Sequence, residues 1–349
     1  MFTLNSTPGR ICIADGKEFL FFSGYSYLGM NHVKDFTKFV KEGIDKYGIL
    51  FPSSRISNTR LNLYKEFENE LSELTGMEES VSFSSGFLAG KTISDILSSY
   101  KNIFVAPGTH PAIAIETVSK NADTDFNDWA NNTLSFINNS DENEFVLISD
   151  SLNILTAEIH ELSFLKKIKE NKKIIYLIDD SHAIGILGKS GAGVTSNLTE
   201  KSNIKFVVCY SLSKAFNIEG GVVSCNKEIA AKLREHPNYS GSTSINPSLI
   251  HAFLKSKKLY SRQREKLFEN IASFKKNLSP GLLNKKNNLP VIICKNENAD
   301  DIFYKNGIII SSFGYPLPSS NKVNRIIINA LHTKKDIKKL SQVFIENNL

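Results

Sequence analysis

Short apolar runs recur along the chain between helix-patterned stretches, and this alternation constrains the fold more than any other feature. The runs are "VSF" at 81, "NIFVA" at 102, "FVLIS" at 145, "IIYLID" at 174 and "KFVVCY" at 205. Runs of this kind suit strands buried on both faces, so the pattern predicts an α/β fold with a mainly parallel sheet covered by helices on each side. "FTKFVKEGIDKYG" and "NLYKEFENELSELTG" space apolar residues three and four apart and close on glycine, as capped helices do. "GGVVSC" at 220 reads as one more strand, entered through glycines. "GRICIADGKEFLFFSG" alternates apolar and polar residues around Asp15-Gly16, a pair that tolerates positive φ, and reads as a β-hairpin.

These patterns divide the chain into a hairpin segment over 1–40, a large domain over 41–240 and a smaller α/β domain over 241–349. The hairpin segment is expected to pack with the small domain. The small domain carries a long polar helix, the strands "LPVIIC" and "GIIIS", then "VNRIIINAL" and a final helix. At 349 residues and 41% hydrophobic content the chain can bury a large core. Its formal charge of +6 is dispersed, and the densest basic patches, Lys166-Lys167 with Lys169 and Lys334-Lys335, fall on helix-like segments where a solvated face is expected. Nucleic acid is therefore not an expected partner. Cys12, Cys209, Cys225 and Cys294 are far apart and form no C-x-x-C pair, which suits reduced thiols and leaves no legible metal site. The first residues lack a basic-then-apolar leader and no stretch is apolar over a bilayer's width, so no membrane association and a cytoplasmic location are expected.

In an open α/β sheet, ligands collect beyond the carboxyl ends of the strands. "IIYLIDDSHAIGILGKSGAG" runs a strand into Asp179, Asp180 and His182, and two carboxylates there are costly unless something positive meets them. A helix cap in a solvated turn explains the same residues. The glycines that follow, Gly188, Gly191 and Gly193, come after the carboxylates and do not join strand directly to helix, so a dinucleotide site is discounted. "KFVVCYSLSKAFN" sets Lys214 just past a strand, where desolvation or neighbouring cations free an amine to attack a carbonyl. "SVSFSSGFLAGKTISDIL" places Ser84, Ser85 and Gly86 where strand gives way to helix, presenting N–H groups and hydroxyls to an anion, or simply capping the helix. An anion site, a carboxylate for a cationic ring nitrogen and a lysine for an aldehyde together describe the partners of pyridoxal 5'-phosphate.

At these residues the chain resembles the α-oxoamine synthases, pyridoxal-phosphate enzymes of fold type I. "YLGMNH" at 27, "LYKEFENELSELTG", "FSSGFLAG", "IDDSHAIGILGKSGAG", "SLSKAFNIEGG" and "GSTSINPS" carry the likeness over nearly the whole length. The resemblance implies an aspartate aminotransferase-like PLP-dependent transferase fold and a homodimer. It implies Lys214 as the lysine joined to the cofactor and as the proton-transferring base, Asp179 at the pyridine nitrogen, His182 on the phenolic oxygen and His110 stacked on the ring. Ser85, Gly86 and Phe87 match the segment supplying N–H groups around the cofactor, Ser211 replaces a phosphate-binding threonine, and Thr243 matches one reaching the neighbouring subunit's phosphate. Arg325 lies where the family grips the substrate carboxylate.

The implied reaction condenses an amino acid, L-alanine favoured, with an acyl thioester of coenzyme A or acyl carrier protein, losing carbon dioxide to give an α-amino ketone. An aminotransferase on the same fold is the alternative, and a protein keeping the site for assembly without turnover is a third reading. Several positions depart from the family. "ILFPSSRISNTRLNLY" replaces a glycine-rich stretch, and its Phe51, Pro52 and Arg55 are expected to narrow the acyl pocket or change the acyl carrier. Tyr25 stands where an asparagine is usual, "DSLNILTAEI" lacks a family serine and glycine, and "KAFN" lacks the glycine after the lysine.

Overall fold

Apolar residues on both sides of a strand require two covering layers, and both are present. The computed structural model describes residues 2–115, 125–199, 201–278, 288–315 and 317–349. In chain order the strands are β1 (Ile11–Ala14), β2 (Lys17–Phe22), β3 (Glu79–Phe83), β4 (Ile103–Val105), β5 (Glu144–Asp150), β6 (Leu152–Asn153), β7 (Glu158–Ile159), β8 (Lys173–Asp179), β9 (Ile204–Ser211), β10 (Gly221–Cys225), β11 (Val291–Cys294), β12 (Ile308–Gly314) and β13 (Lys322–Ile327).

The large sheet has the order β3-β10-β9-β8-β5-β4. β4, β5, β8 and β9 run parallel, while β10 is antiparallel to both β3 and β9. Alternate residues serve opposite layers, as the period of a strand demands. Val146, Leu177 and Val207 pack with Ile93 of the helix Gly86–Leu97 on one side, and Phe145, Leu147 and Tyr176 pack with Trp129 of the helix Phe126–Asn139 on the other. This two-sided burial is why the strands read as unbroken apolar runs.

The second sheet, β1-β2-β12-β13-β11, draws on both ends of the chain. β1 and β2 form the hairpin, whose turn residues Asp15 and Gly16 have φ of 50° and 75°. β2 then lies parallel to β12, with Leu20–Phe22 opposite Ile308–Ile310. β13 sits between β12 and β11 and carries Arg325, opposite Ser311 on one side and Ile293 on the other. The helix Lys34–Tyr47 packs on the helix Pro247–Lys255, where Gly43 meets the backbone of Ser248 so closely that a Cβ would stand 2.7 Å from its Cα.

The carboxyl ends of the parallel strands are level. Asp150 of β5 is in register with Asp179 of β8, and Asp179 with Cys209 of β9. Among the described residues no helix is long and apolar enough to cross a membrane, and no cluster of His, Cys, Asp or Glu is placed to hold a metal ion.

Candidate active site

The level strand ends open into one pocket lined by Asp150, Asp179, His182, Ser211 and Lys214. Gly86 and Phe87 close it from the start of the helix Gly86–Leu97, His110 comes from the loop after β4, and Tyr315 follows β12. Of the residues singled out in the sequence, Lys214, His110, Asp179, His182, Gly86, Phe87 and Ser211 meet there.

Asp179 is oriented by the Ser181 N–H, donated to its Oδ1 at 2.8 Å. The next residue turns away: Asp180 is fully buried behind the sheet and accepts the Val194 N–H on Oδ2 at 3.0 Å. One carboxylate of the pair therefore serves the pocket and the other the glycine-rich turn after it. Burial pushes the Lys214 amine below the ordinary lysine range, and the charges of Asp179 and then Asp150 and Cys209 only partly restore it. A desolvated amine of this kind is neutral more often than a surface lysine, which is what attack on an aldehyde requires.

His182 is held from behind by Tyr27, whose phenolic oxygen lies 2.8 Å from Nδ1. Tyr27 is fully buried, and the ring of Tyr25 stands edge-on to His182 with centroids 5.0 Å apart. Burial, followed by the positive neighbours Lys214, Arg325 and His110, pushes His182 well below the usual imidazole range, so its ring is neutral near pH 7. His110 donates its backbone N–H to Asp150 Oδ1 at 3.0 Å and accepts the Ala112 N–H on its own Nδ1 at 3.1 Å. It both shapes a turn and faces the pocket.

The helix start is built for close approach. Ser85 caps it, its hydroxyl accepting the Leu88 N–H at 3.1 Å, and its own side chain is exposed outside the pocket wall. The first N–H groups of a helix have no partner within it and carry the positive end of its dipole. A Cβ on Gly86 would stand 2.6 Å from the Cβ of Ser211 and 2.9 Å from its Cα, so the glycine is required. Ser211 in turn donates its N–H to Ser181 Oγ at 2.9 Å and shares a 2.8 Å hydroxyl contact with Ser213. Hydroxyls at and just beyond the end of β9 thus stand beside the helix start.

Besides Ser85, two predicted residues lie off the pocket wall. Thr243 is exposed between the helices Pro237–Gly241 and Pro247–Lys255. Arg325 is 2% exposed, its guanidinium carbon 5.5 Å from the Tyr25 ring centroid and 4.7 Å from that of Phe313. Its Nε is buried with no hydrogen-bond partner among the described residues. A buried donor left unpaired is unfavourable, and an anionic group supplied from the pocket side would satisfy it.

In the single chain the loop expected to narrow the acyl pocket lies away from the Lys214 pocket. Neither Phe51, Pro52 nor Arg55 lines the Lys214 pocket. Arg55 reaches Glu68 Oε1 at 2.9 Å and Ser82 Oγ at 3.0 Å, and its guanidinium lies over the rings of Tyr64 and Tyr239. Its bulk ties the loop to the helix Asn62–Thr75 and to β3. Asp150, Tyr25 and Tyr27 were absent from the sequence-based site. Asp150 obeys the strand-end rule that identified Asp179, whereas nothing local to Tyr27 signals its contact with His182.

The pocket fits pyridoxal phosphate on its own chemistry: a desolvated lysine, a carboxylate level with it, a neutral imidazole, and a glycine-opened helix start beside serine hydroxyls. Known proteins point the same way. An 8-amino-7-oxononanoate synthase of Thermoanaerobacter pseudethanolicus is 25% identical, over 96% of this chain and 89% of its own length. The serine palmitoyltransferase of Sphingomonas wittichii superposes with a TM-score of 0.82 at 18% identity, covering 99% of this chain and 91% of that one. The crystal structure of 8-amino-7-oxononanoate synthase from Francisella tularensis superposes with a TM-score of 0.71 at 25% identity, covering 95% and 98%. The fold is that of the fold type I pyridoxal-phosphate transferases, and with the model for "Aminotransferase class I and II" matching residues 17–344, the chain belongs to that family.

Proposed function

We propose that the chain is an α-oxoamine synthase that condenses L-alanine with an acyl thioester and releases carbon dioxide and the free thiol. The observation that carries this reading is Arg325, a buried guanidinium with an unpaired Nε beside the pocket that holds Lys214 and Asp179. When bound, pyridoxal phosphate supplies an electron sink for charge left on the substrate α-carbon. Asp179 holds a positive charge at the ring nitrogen's position, its carboxylate oriented by Ser181. Arg325 binds and orients the amino-acid carboxylate, stiffened by Tyr25 and Phe313. Lys214 takes or gives the α-proton at Nζ, a role its depressed basicity suits near neutral pH.

The 8-amino-7-oxononanoate synthase activity, with a pimeloyl thioester and a place in biotin biosynthesis, is the specific form proposed, supported by the relatives that bear that name. The acyl carrier is coenzyme A or an acyl carrier protein. A homodimer in the cytoplasm completes the proposal: Ile49, Leu50, Ile56 and Phe87 are apolar and exposed, surface that a second subunit would cover, and all four thiols are buried and free. Thr243, exposed in the single chain, is the residue assigned to the partner's phosphate.

The test is the visible spectrum of the purified protein with pyridoxal phosphate, before and after L-alanine. A band that shifts on alanine and persists supports the synthase, whereas conversion to the pyridoxamine form identifies an aminotransferase, and no band removes the reading. Lys214→Ala is expected to abolish borohydride-fixable cofactor, and retention of it on another lysine refutes the assignment.

A further inference from the structure

Tyr27 has no role in the function proposed above, yet it is fully buried and its hydroxyl touches the pocket histidine. Burial holds its phenol well above the usual tyrosine range, so it is protonated at any working pH. Among the described residues, His182 Nδ1 at 2.8 Å is the one hydrogen-bond partner of that hydroxyl. A buried O–H that donates to nothing costs about 1–3 kcal/mol. The phenol therefore donates, and Nδ1 must accept with a bare lone pair.

The ring's charge state closes the argument. His182 is buried and faces Lys214, Arg325 and His110, all of which oppose a positive ring, with Tyr25 against its edge. A ring that is neutral and has a bare Nδ1 keeps its single proton on Nε2.

We infer that Tyr27 is a positioning residue that locks His182 in the Nε2–H tautomer, making the pocket-facing nitrogen a hydrogen-bond donor. This goes beyond the family role of His182 by naming what selects its proton, and it rests on the cofactor reading only for the group that receives the Nε2–H. For that reading, the receiver is the phenolic oxygen of the cofactor, an acceptor that the opposite tautomer would meet with a lone pair.

The experiment has one arm without cofactor and one with it. Histidine-15N-labelled protein free of cofactor is examined by long-range 15N–1H correlation, which distinguishes the tautomers, with His182→Gln assigning the signal among the seven histidines. The wild type is expected to show Nε2–H alone at neutral pH, and Tyr27→Phe, which removes only the hydroxyl, to populate Nδ1–H. In the cofactor-loaded protein the midpoint of the visible band is expected to rise by about one pH unit in Tyr27→Phe, because a donor to the phenolic oxygen is weakened. A wild-type Nδ1–H signal overturns the inference and does not depend on the Tyr27→Phe protein folding. A Tyr27→Phe protein that keeps pure Nε2–H and an unchanged midpoint also overturns it, leaving Tyr27 as packing. Absence of any visible band would sink the cofactor reading while the tautomer result stood.

Discussion

Replacing Asp180 by asparagine is expected to stabilise the protein, and only at neutral and alkaline pH. Asp180 is 0% exposed, Val194 gives it its one hydrogen bond among the described residues, and Oδ1 has no partner there; the nearby Ser151 hydroxyl is not in bonding geometry. Burial pushes its carboxyl from 3.8 up to about 7, with Ser151 and the Val194 N–H opposing and Asp179 adding to the rise. A carboxyl whose pKa is raised by folding is protonated in the native state while the unfolded chain has already lost its proton. Stability is then fully present below about pH 4 and is lost as pH rises to about 7. A tenfold change in proton affinity is worth about 1.4 kcal/mol, so the roughly thousandfold change between those two values amounts to about 4 kcal/mol, an upper bound for a site that can relax. Asparagine keeps the acceptor for Val194 and cannot ionise. A Cβ at Gly193 would collide with Oδ2, so the space around the group is tight and the nearly isosteric amide is the right probe. Denaturant unfolding of wild type and Asp180→Asn, compared at pH 5 and pH 8, measures the difference. A variant equally destabilised at both pH values would refute the reasoning, as it would mean the carboxylate is ionised and hydrogen-bonded in the fold.

His332 should show the opposite slope. Burial pushes it down to about 4, its Nδ1 accepting the Asn329 N–H and its Nε2 meeting the Phe21 carbonyl at 3.0 Å, so stability is held above about pH 6.5 and falls by about 3 kcal/mol as pH drops toward 4. His332→Gln should flatten that fall in an acid unfolding series, and an unchanged slope would exclude His332 as its source. Gly86→Ala should weaken cofactor binding at least about tenfold, because the new methyl meets the Ser211 backbone; unaltered affinity by spectral titration would show that the strand end yields. Arg55→Met should cost about 3–5 kcal/mol by leaving Glu68 buried without its cation, measured by unfolding midpoint. A loss confined to cofactor absorbance would instead place Arg55 in the site.

The strands and the centre of the site were legible because both follow from local rules. Two-sided burial writes a strand as an apolar run, and a polar residue ending such a run must answer for its position; that argument reached Asp179, His182 and Lys214. The same rule applied to "FVLIS" would have reached Asp150, which in sequence reads only as the start of an altered loop. Tyr27 lies 155 residues from His182, and only the packed fold joins them. Arg55 shows a second limit: its bulk, expected to narrow the acyl pocket or change the acyl carrier, gives no sign in the sequence of the ion pair it makes. Its charge had a buried partner in Glu68, thirteen residues on, across an irregular segment whose path no periodicity reports.

The hairpin that completes the smaller sheet also sets an order of events during synthesis. Ser23 beyond β2 touches Ser311 in β12 across 288 residues. At roughly 5–20 residues per second a ribosome needs about 15–60 s to cover that interval. Throughout it β2, with Phe19, Phe21 and Phe22, has made its turn to β1 but has no neighbour on its other edge. The large sheet can assemble meanwhile from strands all emitted by residue 225. The nascent chain thus carries an unpaired aromatic edge until its last sixth emerges, a segment suited to holding by a chaperone and to aggregation when none is at hand.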